Sequence, residues 1–382
     1  MRAFEGIKRI VIKIGSSSLV KKDLSINEPM LISIMQSFKK LTDNGLEVAL
    51  VTSGAIAVGM HALGLEKRPK DMALKQACAA VGQAKLMEAY NKAADIYDLK
   101  TGQILLNHDD FQIRKRMNYL SNTLSAMFDN GIIPIINEND ALAVEEIKVG
   151  DNDTLSALIS PMVKADLLIL FSDIDGLYDK NPKLYDDAKM ISLVEKIDDS
   201  IISMIGDATS NVGTGGMITK INAALVSTMA GCNMIICNSN RIDSIPEIIS
   251  GEEIGTLFKA SDKVISSLEH FIIFKANKMG TIIADDGLVD KLLGEKKVSI
   301  LPKGVLDVKG SFLANSIVEV RSTGGSLIAK GICKYSSLEV KRICGHNTLD
   351  IDNILGYHGR REIIHANDLV VIKEKMYERF IK

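Results

Sequence analysis

Ile7 to Ile14 form a β-branched run that stops at Gly15, and the apolar positions after it change period. Leu31, Ile34, Met35, Phe38 and Leu41 recur at three- and four-residue steps, which predicts a helix with one buried face. Asn27 stands where an N-cap belongs, and Asn44-Gly45 where such a helix would stop. Val48 to Val51 then reads as a strand. The alternation repeats: Leu120, Leu124, Met127 and Phe128 mark a helical face, Asn130-Gly131 ends it, and Ile132 to Ile136 is the next strand. Leu167 to Phe171 and Met234 to Cys237 are further short apolar runs of strand type. Buried strands alternating with amphipathic helices predict βαβ units, hence an α/β three-layer αβα sandwich around a mainly parallel sheet. Ligands of such sheets gather at the carboxyl ends of the strands.

Beyond Thr256 to Phe258 this grammar ends. Residues 261–280 are polar and basic, and the strands after them look shorter and richer in glycine. Ser316 to Arg321 and Ser326 to Cys333 flank Thr323-Gly324-Gly325, which predicts a β-hairpin. The expected organisation is an α/β domain over residues 1–260, a linker over 261–277, a small mostly-β domain over 278–360 and a C-terminal tail over 361–382. The last stretch, Asn367 to Lys382, is expected to include a short helix.

Composition narrows the class without choosing a function. With 25% charged and 46% hydrophobic residues, the chain has the proportions of a soluble globular protein. No apolar run approaches the length of about 18 that suggests a membrane span. The charged N-terminal segment lacks the apolar stretch of a secretory signal. Five scattered cysteines without a CxxC pair fit a reduced, cytoplasmic compartment. The net charge of −2 is unevenly spread, since Lys275 to Lys382 holds 18 Lys and Arg against 13 Asp and Glu. That basic excess permits contact with RNA without requiring it.

The candidate chemistry lies where strands end. Lys13-Ile14-Gly15-Ser16-Ser17-Ser18 closes the first strand with a lysine and a small-residue loop suited to a phosphate, although an ordinary turn fits it as well. Val51-Thr52-Ser53-Gly54-Ala55-Ile56 joins a strand to a helix N-terminus, which favours anions; simple capping is the alternative. Asn137-Glu138-Asn139-Asp140 exceeds what a turn needs. Val149 to Thr154, VGDNDT, places Asp151 and Asp153 around Asn152 ahead of an apolar helical run, as a solvated turn or a polar site. Ser172-Asp173 follows a buried strand. Gly213 to Lys220, GTGGMITK, puts a lysine in a helix's first turn, against the helix dipole, where a phosphate would account for it. The sequence contains no HExxH, P-loop or GxGxxG motif. Lysines and backbone amides at strand ends are what phosphoryl transfer needs, and they point to a nucleotide-dependent kinase.

In chain order KIGSSS, VTSGAI, NEND, VGDND and GTGGMxxK, together with Lys75 to Met87 (KQACAAVGQAKLM), closely resemble the amino acid kinase family, in the branch that phosphorylates glutamate. The resemblance covers nearly the whole chain. From about residue 278 to 356 the chain is similar to the PUA domain, including Leu301-Pro302-Lys303-Gly304 and Ile354-Leu355-Gly356-Tyr357.

The resemblance implies transfer of the ATP γ-phosphoryl group to the side-chain carboxylate of L-glutamate, the first step towards proline. It implies that Lys13 and Lys220 neutralise charge on the phosphoryl group, with Asp153 holding both lysines. Gly15 and Gly54 would donate backbone N–H groups to phosphate. Ser53, Asp140, Asn152 and Asn137 would hold glutamate. Ser172, Asp173 and the loop Thr214, Gly215, Gly216, Met217, Ile218, Thr219 and Lys220 would hold the nucleotide. Mg²⁺ would be bridged by the phosphates, with no protein residue assigned to it. The resemblance further implies a homo-oligomer (dimer or tetramer) and proline as feedback inhibitor. Two departures stand out: Ser172 replaces a threonine, and Phe312-Leu313-Ala314-Asn315 replaces a glycine-containing turn. Acetylglutamate kinase and aspartokinase are alternatives of the same class, and an RNA-binding protein acting through the PUA-like domain is one of another class.

Overall fold

The structure, a computed structural model, describes residues 2, 4, 6–107, 110–111, 113–142, 152–182, 184–198, 200–201, 204, 216–262, 264–266, 269, 272–273 and 279–372. The chain divides into two compact units, Met1–Val264 and Ile265–Lys382.

The strands of the first unit are β1 Arg9–Ile14, β2 Glu47–Val51, β3 Lys100–Leu106, β4 Ile132–Glu138 and β5 Leu167–Ser172. They continue with β6 Leu177–Tyr178, β7 Met190–Ile191, β8 Leu193–Val194, β9 Asn233–Asn238 and β10 Thr256–Phe258. Eight of them build one sheet in the order β3-β4-β2-β1-β5-β9-β10-β8, and β6 pairs with β7 apart from it. Every pairing from β3 through to β9 is parallel, whereas β10 runs antiparallel to β9. The connecting helices include α1 Ser16–Leu19, α2 Glu28–Asp43, α3 Ala55–Ala62 and α4 Met72–Asp95. Further along are α5 Arg114–Asp129, α6 Asn152–Met162 and α7 Met217–Met229.

The five positions that predicted α2, Leu31, Ile34, Met35, Phe38 and Leu41, are all buried and share a core with Ile10, Ile12 and Ile14 of β1 and Leu86 and Tyr90 of α4. Side chains alternate along a strand, so Lys13 leaves β1 on the other face, where α6 packs. Asn27 does precede α2, but its side-chain amide donates to the Ser18 carbonyl and does not cap the helix. The close approach of α3 and α4 depends on two glycines. A Cβ at Gly59 would lie 1.8 Å from the Cys78 carbonyl oxygen, and one at Gly82 would lie 1.8 Å from that of Ala55.

In the second unit β11 Gly280–Ala284, β12 Val305–Lys309, β13 Ile317–Arg321, β14 Leu327–Ile332 and β15 Leu369–Val371 form a sheet in the order β12-β11-β13-β14-β15. Helices α8 Asp286–Leu293 and α9 Ser337–Ile343 contribute Leu288, Leu292, Val340 and Ile343 to its core. The expected hairpin is β13–β14, antiparallel, with Gly325 in the left-handed region at φ 86°. Asn315 also has positive φ, 67°. Asparagine tolerates that region better than most residues, so it serves where a glycine turn was expected. The tail differs from expectation. Leu369–Val371 is a strand, because its backbone satisfies the open edge of β14 and Leu369 is buried there. The rest of the expected helix, residues 373–382, lies outside the described residues. Among the described residues no helix is long and apolar enough to cross a membrane.

Candidate active site

The parallel register brings the carboxyl ends of β1, β2, β4 and β5 side by side, and the polar clusters follow those ends. At the centre is Asp153, in the first turn of α6 and fully buried. Its Oδ1 lies 2.5 Å from Lys13 Nζ of β1, and its Oδ2 lies 2.9 Å from Lys220 Nζ of α7. The two lysine side chains are only 7% and 8% exposed, so both charges have little access to water. Thr219 Oγ1 adds a donated hydrogen bond to Asp153 Oδ2 at 3.2 Å. Burial alone would raise the Asp153 pKa, but the ammonium groups of Lys13 and Lys220 outweigh it and hold the carboxyl down at about 2. One carboxylate facing two cations leaves net positive charge for an anionic ligand.

A second group surrounds Asn152. Its Nδ2 donates to the Thr52 carbonyl oxygen at 2.6 Å, to Ser53 Oγ at 2.6 Å and to Asn137 Oδ1 at 3.1 Å. Adjacent positions in α6 thus serve two clusters, Asp153 reaching the lysines and Asn152 reaching the ends of β2 and β4. Gly54, the residue before α3, has φ 100°, a conformation that side-chain-bearing residues rarely adopt. Gly15 sits directly against the lysine cluster, since a Cβ there would lie 3.7 Å from Lys13 Nζ. Asp140 lies in the turn after β4 that Leu142 N–H closes onto the Asn139 carbonyl.

The nucleotide candidates are placed less completely. Ser172 ends β5 and its Oγ donates to Asp173 Oδ1 at 3.0 Å. Gly216 precedes α7, whose first turn contains Met217, Ile218, Thr219 and Lys220. Thr214 and Gly215 lie outside the described residues, as do residues 149–151 of VGDNDT.

The structure also draws in residues that the motifs did not single out. Gln83 Oε1 accepts from Asn137 Nδ2 at 2.8 Å, and the Tyr90 hydroxyl lies 2.8 Å from Thr52 Oγ1. Both come from the buried face of α4, where Leu86 and Met87 lie between them. Gln83 lies in the segment Lys75 to Met87 that carries the resemblance, but its role there was not read from the sequence. Burial pushes the Tyr90 phenol well above its ordinary pKa, so it stays neutral.

A parallel sheet with a lysine–carboxylate–lysine cluster at its strand ends suits a phosphotransferase acting on a small anion. Residues 8–238 match the amino acid kinase family, and residues 280–355 match the PUA domain. Among similar proteins, glutamate 5-kinase of Caldanaerobacter subterraneus subsp. tengcongensis is 44% identical over 365 residues, which is 96% of this chain and 98% of that one. Glutamate 5-kinase of Methanosarcina mazei is 42% identical over 380 residues, 97% and 98% of the two chains. The chain belongs to the amino acid kinase family, in its glutamate 5-kinase branch.

Proposed function

We propose that this chain transfers the γ-phosphoryl group of ATP to the side-chain carboxylate of L-glutamate, giving γ-glutamyl phosphate for proline biosynthesis. The observation that carries the reading is the buried Lys13–Asp153–Lys220 cluster beside the Asn152 group. A carboxylate oxygen attacks the γ-phosphorus, the bond to the β-phosphate oxygen breaks, and ADP leaves with that electron pair. A glutamate side chain has a pKa of about 4.3, so the nucleophile is already ionised at neutral pH and no general base is needed. The barrier is repulsion between two anions. Lys13 and Lys220 answer it in a site with little water, where fixed charge acts strongly. Asp153 keeps the two ammonium groups apart and in place.

In this reading Gly15 and Gly54 present backbone N–H groups to phosphate, and Ser53, Asn137, Asp140 and Asn152 hold glutamate. Ser172, Asp173 and the segment from Thr214 to Lys220 hold the nucleotide. Mg²⁺ bound together with ATP would lower the negative charge on the phosphates, with no residue of the chain assigned to hold it. Proline as inhibitor, assembly into a homo-oligomer and a cytoplasmic location belong to the same reading.

The test is ADP release from Mg-ATP and L-glutamate with hydroxylamine present to trap acyl phosphate. Glutamate-dependent hydroxamate, absent with aspartate or N-acetylglutamate, is the expected outcome. Turnover with one of those acids in place of glutamate would move the chain to another branch of the family.

A further inference from the structure

Behind the strand ends, three carboxamides form a chain whose polarity is dictated by backbone groups. Glu138 N–H donates to Asn137 Oδ1 at 2.9 Å, and a backbone N–H can only donate. This bond fixes which end of the Asn137 amide faces it, so Nδ2 turns to Gln83 and donates to Oε1 at 2.8 Å. At the other end, the Thr52 carbonyl can only accept, which fixes Asn152 Nδ2 towards it at 2.6 Å. Asn152 Nδ2 also meets Asn137 Oδ1 at 3.1 Å, so the two fixed amides agree in polarity.

The chain leaves one acceptor over. Among the described residues, Asn152 Oδ1 is buried without a hydrogen-bond partner, and so is Gln83 Nε2 on a residue only 8% exposed. A buried polar atom left unpaired is costly and asks for a ligand. At neutral pH, glutamate has two carboxylates that only accept and one group that donates, its α-ammonium.

We propose that Gln83 is a positioning residue for the acceptor substrate. By accepting from Asn137 Nδ2 it helps Glu138 N–H keep Asn137 Oδ1 towards Asn152. It so steadies the Asn152 amide, which the Thr52 carbonyl turns to offer Oδ1 to the α-ammonium of glutamate. The close contact of α3 with α4 at Gly59 and Gly82 seats Gln83 at this point. The inference rests on the glutamate-kinase reading and adds a residue that discriminates between acceptors.

The experiment compares KM for glutamate with the competitive inhibition constant of glutarate, which has the same two carboxylates and no ammonium. Gln83→Met keeps the volume and removes the acceptor, and Gln83→Leu is a second variant lacking it. In either, KM for glutamate should rise about tenfold, the scale of one charge-assisted hydrogen bond, while the glutarate constant and KM for ATP stay put. Gln83→Glu retains an acceptor for Asn137. Its KM for glutamate should therefore stay well below that of Gln83→Met, whereas its added negative charge weighs more heavily on glutarate, which lacks the ammonium. Glutamate and glutarate weakening in proportion in Gln83→Met would show a merely structural role and overturn the proposal. Absence of glutamate turnover in the wild-type protein would instead overturn the reading beneath it.

Discussion

Asp153 and Glu319 are both buried carboxylates beside cationic side chains, yet they are assembled differently. Asp153 takes Lys13 from β1 and Lys220 from α7 while sitting on α6, so three separate elements must pack before the cluster exists. Glu319 is a residue of β13, directly opposite Lys330 of β14, and it accepts from Arg321 Nε two residues along its own strand at 2.9 Å. Glu319 and Lys330 are 2% and 3% exposed, as buried as the first cluster. Arg321 also donates to the Gly325 carbonyl at 2.7 Å, so this group ties the hairpin to its turn. Buried charge therefore does not by itself mark a site, since structural networks perturb charges too. The informative difference is convergence: the first cluster gathers cations at the carboxyl ends of parallel strands, and the second stays within one hairpin.

The sharpest way to break this comparison is Lys220→Ala. It should lower kcat by about 100- to 1,000-fold, the scale of one transition-state charge contact, with little change in glutamate KM. A variant retaining more than half of wild-type turnover would remove Lys220 from the chemistry. Glu319→Gln comes next. Leaving Arg321 without its carboxylate should destabilise the second unit by about 2–3 kcal/mol in urea unfolding, with kcat unchanged. Loss of activity at unchanged stability would erase the contrast between the clusters.

The smallest effect concerns acid. The Asp153 carboxyl is held at about 2 in the folded chain, against about 3.9 when unfolded, so its contribution is fully present above about pH 4. As pH falls from there towards 2 that contribution disappears, a loss of about 2 kcal/mol. Asp153→Asn should therefore flatten the acid limb of the stability curve over that window. An unchanged limb would mean that the lysines do not stabilise the charged carboxylate.

Much of the first unit was legible in the chain. The period of Leu31, Ile34, Met35, Phe38 and Leu41 alone determined a buried helix face. The strand-end position of Lys13, Asn137 and Ser172 followed from short apolar runs. The site was legible in part. Lys13, Asp153 and Lys220 stand out as motif residues. Gln83 lies in the segment Lys75 to Met87, which the resemblance included without giving it a role, and Tyr90 lies beyond that segment on the same helix. Asn27 shows the limit of capping signals, since its position was right and its side chain bonds elsewhere. Leu369–Val371 shows the limit at an edge, because a three-residue run becomes a strand only when a neighbour needs it.

The sequence by itself determined many of the strands and helices of the first unit, among them β1, α2, β2, α5, β4, β5 and β9, and that the polar clusters follow strand ends, because periodicity and chain punctuation act over a few residues. Only the tertiary structure decided that Lys13 and Lys220 meet on Asp153, and that Gln83 reaches Asn137. Those meetings depend on strand register and on how closely helices approach. A slip of one residue in β1 would turn Lys13 to the opposite face of the sheet.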